Sequence, residues 1–181
     1  IITLSDDDST IVGLLGAGNS FYTAIDGESN VIPGPVSGLS YTTPTAVSAD
    51  GSKVVGTTRG TGGQETPSWI YENGSYQLLS LPNGAEGTHS LDISSDGTAI
   101  VGTVWGDANI DGHIVRWENA NTYVLPNPMG EFLSSCAISG DGSTIISKNY
   151  LWRDGEIGTI SVLPGATSPV ATAVSFDGTF V

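Results

Sequence analysis

The sequence predicts an all-β protein assembled from repeated four-stranded antiparallel units. Two observations lead to this prediction: one short segment recurs five times along the 181 residues, and turn residues lie at matching points within each repeat. No stretch shows sustained helical periodicity, and Gly and Pro recur too often for long helices. A period of about forty residues indicates one supersecondary unit used several times.

The recurring segment has the form Ser-x-Asp-Gly, with Asp8 in place of Gly in the first copy. Small apolar residues precede it and a β-branched pair follows it. An Asp side chain can bond the backbone two residues on, and Gly adopts positive φ without steric cost, so each copy predicts a tight turn. The aspartates are expected to cap these turns, because a residue needed once for chemistry would not recur in every unit. The repeated serines are Ser5, Ser48, Ser94, Ser139 and Ser175, which are separated by 43, 46, 45 and 36 residues. The repeated aspartates are Asp7, Asp50, Asp96, Asp141 and Asp177.

The second unit shows the predicted order of strands. Its first strand ends at the Asp50-Gly51 turn, and Asn73-Gly74, a common hairpin turn, separates its third and fourth strands. Units three and four repeat this last hairpin, with Trp117 and Trp152 in the third strand. These tryptophans are expected to pack between units rather than to serve as sugar platforms. The four predicted strands of unit two are residues 45–48, 53–58, 68–72 and 76–81.

Four-stranded meanders repeated in this way are typical of a β-propeller, with each unit as one blade. A β-solenoid is the main alternative, but its coils are usually shorter, on the order of 20–30 residues. Four complete repeats and a partial fifth are expected to form part of a longer propeller, since an unfinished unit leaves a sheet edge exposed. The units are predicted at about 1–43, 44–88, 89–133, 134–170 and 171–181.

The composition is strongly acidic, with 5 Lys and Arg against 19 Asp and Glu and a formal charge of −14. Such a charge repels phosphate backbones and anionic lipids, which argues against nucleic-acid binding and against membrane association through a basic patch. No apolar run is long enough to be inserted into a bilayer as a helix. The single cysteine, Cys136, cannot form an intrachain disulfide and is expected to be a buried structural thiol rather than a nucleophile.

The pattern A-V-S-x-D-G-x-x-V-V-G, followed by W-x-x-G and a later L-P, resembles the HAF-type extracellular repeats of bacterial surface proteins and autotransporter passengers. The Ser-x-Asp-Gly element is also similar to the corresponding stretch of TolB-like and WD-repeat propellers. The resemblance covers nearly the whole chain, although most units lack the Gly-rich L-G-x-L-G-G ending. It implies a propeller fold and an extracellular or bacterial cell-surface location.

One segment of unit three, from Gly106 to His113, departs from the repeat. Read on to Glu118, it fits the pattern D-x-[DN]-x-[DN]-G-x5-E, which resembles the calcium loop of the EF-hand. Three side-chain oxygens at alternate positions and a backbone carbonyl after the Gly suit a hard cation. Calcium is therefore the expected cofactor, and the predicted ligands are Asp107, Asn109, Asp111, the carbonyl of His113 and, to complete the motif, Glu118.

Glu118 is the weakest member of this set. Unit two has Glu72 at the same place, so the repeat explains Glu118 without a metal. If the chain from His113 to Glu118 is extended, the two residues lie roughly 16 Å apart. The alternative for the whole segment is a solvent-exposed insertion rich in Asp, Asn and Gly.

No catalytic arrangement is predicted. The two histidines, His89 and His113, lie in no nucleophile motif, and Arg116 and Arg153 flank the repeated Trp on opposite sides, which predicts that they do not converge. We expect a secreted or cell-surface binding or adhesion module whose partner is an extracellular protein or a glycan, with self-association as a further expectation. The alternatives are a propeller hydrolase or lyase whose catalytic residues lie elsewhere, and a structural subunit of a surface filament or array.

Overall fold

The computed structural model describes residues 3–14, 20–25, 28–34, 41–59, 67–128, 130–161 and 170–180. These residues form sixteen β-strands in four antiparallel sheets of four strands, and they contain no helix that could cross a membrane. Within each sheet the strands follow one another in sequence order. The predicted four-stranded units are therefore confirmed.

Each sheet is one sequence unit. The first contains β1 (Thr3–Leu4), β2 (Thr10–Leu14), β3 (Ser20–Ile25) and β4 (Glu28–Pro33), and the second contains β5 (Tyr41–Val47), β6 (Lys53–Arg59), β7 (Trp69–Glu72) and β8 (Ser75–Leu78). The third contains β9 (Ala85–Ile93), β10 (Ala99–Gly106), β11 (His113–Glu118) and β12 (Asn121–Val124). The fourth contains β13 (Ala137–Ile138), β14 (Thr144–Ser147), β15 (Tyr150–Arg153) and β16 (Glu156–Thr159).

Two first strands begin earlier than the sequence predicts. Strand β5 begins at Tyr41 and β9 at Ala85, ahead of the expected unit starts at 44 and 89. In β5 the pairing with β6 shifts between Pro44 and Ala46. A bulge is where a strand tolerates a proline, so the chain continues as a strand through a residue that usually ends one.

Neighbouring sheets pack face to face. Since successive residues of a strand point to opposite faces of its sheet, one strand can contact the sheets on both sides. In β10, Ile100 joins a core cluster with residues of the second sheet, such as Val55. The next residue, Val101, joins a cluster with residues of the fourth sheet, such as Ile145. The third sheet is thus buried on both faces, and the first strands β1, β5, β9 and β13 lie side by side.

Candidate functional site

The Ser-x-Asp-Gly segments form the predicted turns. In unit three, Ser94 Oγ and the backbone N–H of Thr98 donate to Asp96 Oδ1 over 2.7 and 2.9 Å. Ser94 Oγ in turn accepts the N–H of Ala99 at 3.0 Å, and Gly97 has a φ of 68°. The other units repeat these contacts, and Asp8, which replaces the glycine in unit one, also has a positive φ of 59°. The structural role predicted for the repeated aspartates is confirmed.

These hydrogen bonds favour the ionised form of each turn carboxyl and lower its pKa. The Ser48 hydroxyl and then the N–H and hydroxyl of Ser52 lower the pKa of Asp50 from 3.8 to about 2. The hydroxyl and N–H of Thr179, followed by the Ser175 hydroxyl, lower the pKa of Asp177 to about 2. The pKa values of the other three turn aspartates are lowered by equivalent bonds, at Asp7, Asp96 and Asp141.

The lowered pKa values predict that acid weakens the fold. A carboxyl whose folded pKa lies below its unfolded pKa stabilises the protein above the unfolded value, and that stability is lost as the pH falls through the folded pKa. We expect the urea midpoint to stay constant as the pH is lowered to 3.8, the pKa of these carboxyls in the unfolded chain. Below that pH the midpoint should fall until about pH 2, the pKa of Asp50 and Asp177 in the folded protein. Asp50→Asn should make this fall shallower. A midpoint that does not change on acidification, or one with the same slope in Asp50→Asn, contradicts the assignment.

The five turns are joined to one another through the backbone. Ala49 N–H donates to the carbonyl of Ser95 over 3.0 Å, and Ser95 N–H donates to the carbonyl of Gly140 over 2.8 Å. Asp7 N–H donates to the carbonyl of Ala49, and Asp141 N–H donates to the carbonyl of Phe176. These bonds extend the series to unit one and to unit five. The inner ends of five successive units are thereby held in one hydrogen-bonded row.

Cationic side chains add a second contact between units, and we call each such contact a joint. Lys53 Nζ donates to the carbonyl of the next turn glycine, Gly97, over 3.0 Å. Arg116 Nη1 does the same to Gly142 over 2.9 Å, and Arg153 Nη2 donates to Gly178. Three of the chain's five Lys and Arg residues are therefore used to hold the following unit.

The first strands and turns of units one to four, together with Val174 and Phe176 of unit five, line a cavity of about 340 Å³, which we call the inner cavity. Two carboxyls line it, Asp6 and Asp92. The Asp92 oxygens accept the N–H groups of Ile93 and Ile138, each over 2.9 Å, so this side chain connects the third sheet to the fourth. Burial raises the pKa of Asp92, and the nearby Asp6 charge raises it further.

Sequence reasoning missed Asp92, although a signal for it exists. Alanine stands at the equivalent position, two residues before the turn serine, in units two, four and five, as Ala46, Ala137 and Ala173. A lone carboxyl at an otherwise small, apolar position indicates a place where the repeat is used for something besides packing. The nearby Cys136 thiol packs against the core of units three and four, and burial raises its pKa, which agrees with the structural role predicted for it.

The predicted calcium loop connects β10 to β11. Asp107 Oδ1 accepts the N–H of Asn109 over 2.9 Å, and the Asp107 carbonyl accepts the N–H of Asp111 over 3.0 Å. A Cβ on Gly84 would lie 2.5 Å from Asp107 Oδ2, so this carboxylate rests against the turn that precedes β9. Gly112 has the positive φ of 71° that lets the loop curl. The loop is thus shaped by its own hydrogen bonds, and calcium binding stays a prediction.

The predicted ligands are not all brought together. Asp107, Asn109 and Asp111 are exposed on the loop, and His113 is the first residue of β11. Glu118 is the last residue of the same extended strand, where it accepts Arg116 Nη2 over 3.0 Å. Among the described residues, no three His, Cys, Asp or Glu side chains are grouped so as to hold a metal ion. A cation in the loop would depend on Asp107, Asp111, the Asn109 amide and backbone oxygens.

The repeated tryptophans connect units, as predicted. Trp117 is 4% exposed and its Nε1 donates to the carbonyl of Ser80 in the preceding unit over 2.9 Å. Trp152 is 6% exposed and its Nε1 donates to the carbonyl of Pro126 over 3.1 Å. In unit two it is Tyr76 that bonds to the preceding unit, because its hydroxyl donates to the carbonyl of Pro33 over 2.7 Å.

The two arginines that were expected not to converge line one groove, but their guanidinium groups bind different units. Arg116 and Arg153 both line a groove of about 290 Å³ between the third and fourth sheets. Arg116 faces the fourth sheet because its neighbour Trp117 faces the second. Arg153 ends β15 at the rim of the same groove, but its guanidinium donates to Gly178 of unit five. The spacing along one strand did not reveal the shared groove, because the two residues belong to different sheets.

Comparisons with known proteins identify the fold. No protein-family model matches the chain, and no curated protein matches it in sequence. TolB from Acinetobacter baumannii is similar over 97% of this chain and 43% of its own, with 20% identity and a TM-score of 0.60. A putative TolB from Agrobacterium tumefaciens is similar over 89% of this chain and 61% of its own, with 14% identity and a TM-score of 0.62.

A prolyl endopeptidase structure is similar over 82% of this chain and 28% of its own, with 17% identity and a TM-score of 0.51. The chain therefore spans between about a quarter and three fifths of the length of these three structures. At these identities the likeness concerns the fold alone. The four antiparallel sheets are arranged as in TolB-like β-propellers.

Proposed function

We propose that this chain is a propeller binding module of a secreted or cell-surface bacterial protein, and that its partner docks at the inner cavity. The observation that supports the proposal is the convergence of all five units on one cavity of about 340 Å³. Ligand sites in proteins are usually concave and lie where several structural elements meet. The likeness to HAF-type repeats supports the extracellular location and a role in adhesion.

The charge of the inner cavity favours a cationic group on the partner. Asp6 and Asp92 are the ionisable residues among the described ones that line it, in a chain whose formal charge is −14. Asp6 is exposed, and Asp92 is held in place by two backbone N–H groups. A Lys or Arg side chain of an extracellular protein meets an attractive potential here, whereas an acidic segment is repelled.

The probe that tests this proposal is the peptide acetyl-Lys-Lys-Lys-amide, added to the ¹⁵N-labelled chain at low ionic strength. We expect amide shifts concentrated at Ser95, Gly140 and Ile138 around the inner cavity, and none with acetyl-Glu-Glu-Glu-amide. Asp6→Asn should weaken the shifts. Glu28→Gln, which removes the same charge from exposed strand β4, should not. Shifts spread over all surface carboxylates, or equal losses in the two variants, would overturn the proposal.

We also propose that calcium stabilises the loop from Asp107 to His113. Asp107 and Asp111 place two like charges four residues apart in a protein that is already strongly acidic. When bound, a calcium ion supplies positive charge that removes this repulsion. The described contacts support the proposal only through side-chain oxygens that remain accessible on Asp107, Asn109 and Asp111.

Calcium is expected to raise the melting temperature of the wild-type chain and not that of Asp107→Ala/Asp111→Ala. Binding to the folded state stabilises it by about 2.7 kcal/mol when calcium is at a hundredfold its dissociation constant. Magnesium should do less, because it requires a tighter octahedral shell. The control is Asp154→Ala, which removes an exposed turn carboxylate of unit four and should keep the calcium response. Equal responses in all three proteins would remove the loop as a calcium site.

A further inference from the structure

The structure contains the same kind of groove twice, once between the second and third sheets and once between the third and fourth. We call them the 2/3 groove and the 3/4 groove, and their volumes are about 220 and 290 Å³. The strand registers make their residues equivalent one by one. The floors of the two grooves consist of the same residue types. Leu79, Ile100 and Trp117 in the 2/3 groove correspond to Leu125, Ile145 and Trp152 in the 3/4 groove.

The rims of the two grooves differ. Ile70 and Gln77, which pair across β7 and β8, are replaced in the 3/4 groove by Arg116 and Tyr123, which pair across β11 and β12. Glu118, the residue after Trp117, corresponds to Arg153, the residue after Trp152. The cationic contact to the next turn is present in both grooves, because Lys53 makes it in the 2/3 groove and Arg116 makes it in the 3/4 groove. The 2/3 groove has no aromatic ring at the position of Tyr123, so this ring exceeds what packing requires.

The rim of the 3/4 groove combines one aromatic ring with paired charges. The Tyr123 side chain is 47% exposed, so its ring is accessible from solvent. Arg116 Nη2 donates to Glu118 Oε1 over 3.0 Å, and Asp154 follows Arg153 on the opposite side of the groove. The formal charges of these four ionisable residues cancel, in contrast to the two carboxyls of the inner cavity.

We propose that the 3/4 groove binds a neutral saccharide unit, with the Tyr123 ring as its stacking surface. A sugar ring has apolar C–H faces, which suit an aromatic side chain and the apolar floor. Its hydroxyls donate and accept hydrogen bonds, and the Arg116 guanidinium beside the Glu118 carboxylate offers both donors and acceptors in fixed positions. An anionic ligand is disfavoured, since Glu118, Asp154 and the net charge of −14 repel it. This proposal does not depend on a partner at the inner cavity.

The test uses four probes, the methyl β-glycosides of glucose, galactose, mannose and N-acetylglucosamine, titrated into the ¹⁵N-labelled chain. At least one is expected to shift the amides of Tyr123, Ser143 and Gly155, with a dissociation constant on the order of millimolar, which is usual for a single small ligand unit. Tyr123→Ala should weaken that binding about tenfold or more, a loss of about 1.4 kcal/mol. Tyr123→Gln, which installs the residue of the 2/3 groove, should do the same.

The matched control is Gln77→Ala, at the equivalent position of the 2/3 groove, and it should leave the affinity unchanged. Melting temperatures of all variants should match the wild type, because both side chains are exposed. The proposal is overturned if no glycoside shifts these amides, or if Tyr123→Ala binds as well as the wild type. Tighter binding of methyl β-glucuronide than of methyl β-glucoside would contradict the proposed preference for a neutral saccharide. Shifts confined to Ser95 and Gly140 would assign the saccharide to the inner cavity and also contradict this site.

Discussion

Replacing Trp117 or Trp152 with alanine is expected to lower the free energy of unfolding by about 3–5 kcal/mol in each case. Both indoles are almost completely buried, and each lies in a core cluster shared by two sheets. The substitution removes the largest side chain of that cluster and leaves a cavity that rigid strands fill only in part. The measurement is urea unfolding followed by circular dichroism.

A second variant separates packing from hydrogen bonding. Trp117→Phe keeps an aromatic ring but removes the Nε1–H that donates to Ser80 in the preceding unit. It should cost less than Trp117→Ala, because most of the buried area remains. Tyr123→Ala in the same unit is the surface control, and it should change stability by about 0.5 kcal/mol or less. A loss below about 1 kcal/mol in both alanine variants of the tryptophans would mean that the indoles do not hold the units together.

Leu133→Ala is expected to destabilise the fold by about 2–5 kcal/mol. Leu133 is fully buried among residues of the third and fourth sheets, such as Val101 and Ile145, and its N–H donates to Gly112 over 2.9 Å. The segment between β12 and β13 therefore contributes a core residue and is also attached to the loop before β11. The cost should appear as a lower urea midpoint with an unchanged slope.

The neighbouring residue provides the control for this prediction. Phe132 is 56% exposed and lies over Gly112, so Phe132→Ala removes an apolar ring mostly from the surface. Its effect should be about 0.5 kcal/mol or less. If Phe132→Ala proves the more destabilising of the two, the burial described for Leu133 does not represent the folded state in solution.

The elements that sequence reasoning predicted best are those with local chemistry. A turn in which Asp accepts from residues two positions before and after needs nothing from the rest of the chain, so Asp50-Gly51 and its equivalents were predicted residue by residue. The third and fourth strands were also predicted closely, because Asn-Gly and Asp-Gly turns fix the hairpins. The order of strands within each sheet then follows from short connections.

The features that the sequence did not reveal are those formed by the packing of one unit against the next. Leu133 lies outside any strand, so no periodicity marks it as a core residue. Arg116 and Arg153 line one groove only because the third and fourth sheets pack against each other, and a turn-to-turn hydrogen bond also joins these two units. The inner cavity likewise takes two or three residues from every unit, and no single unit contains enough of it to be recognised.

The joints use main-chain oxygens as acceptors, and this affects how the units can diverge. Lys53 reaches its glycine carbonyl from β6, Arg116 reaches the equivalent carbonyl from β11, and Arg153 from β15. The acceptor exists in any unit that forms the turn, whatever its side chains are. A duplicated unit can therefore keep its attachment while its rim residues change by mutation, and even the donor can move from one strand to another. Such a chain retains its architecture through extensive sequence drift, and each new copy offers a fresh surface on which a distinct specificity can arise.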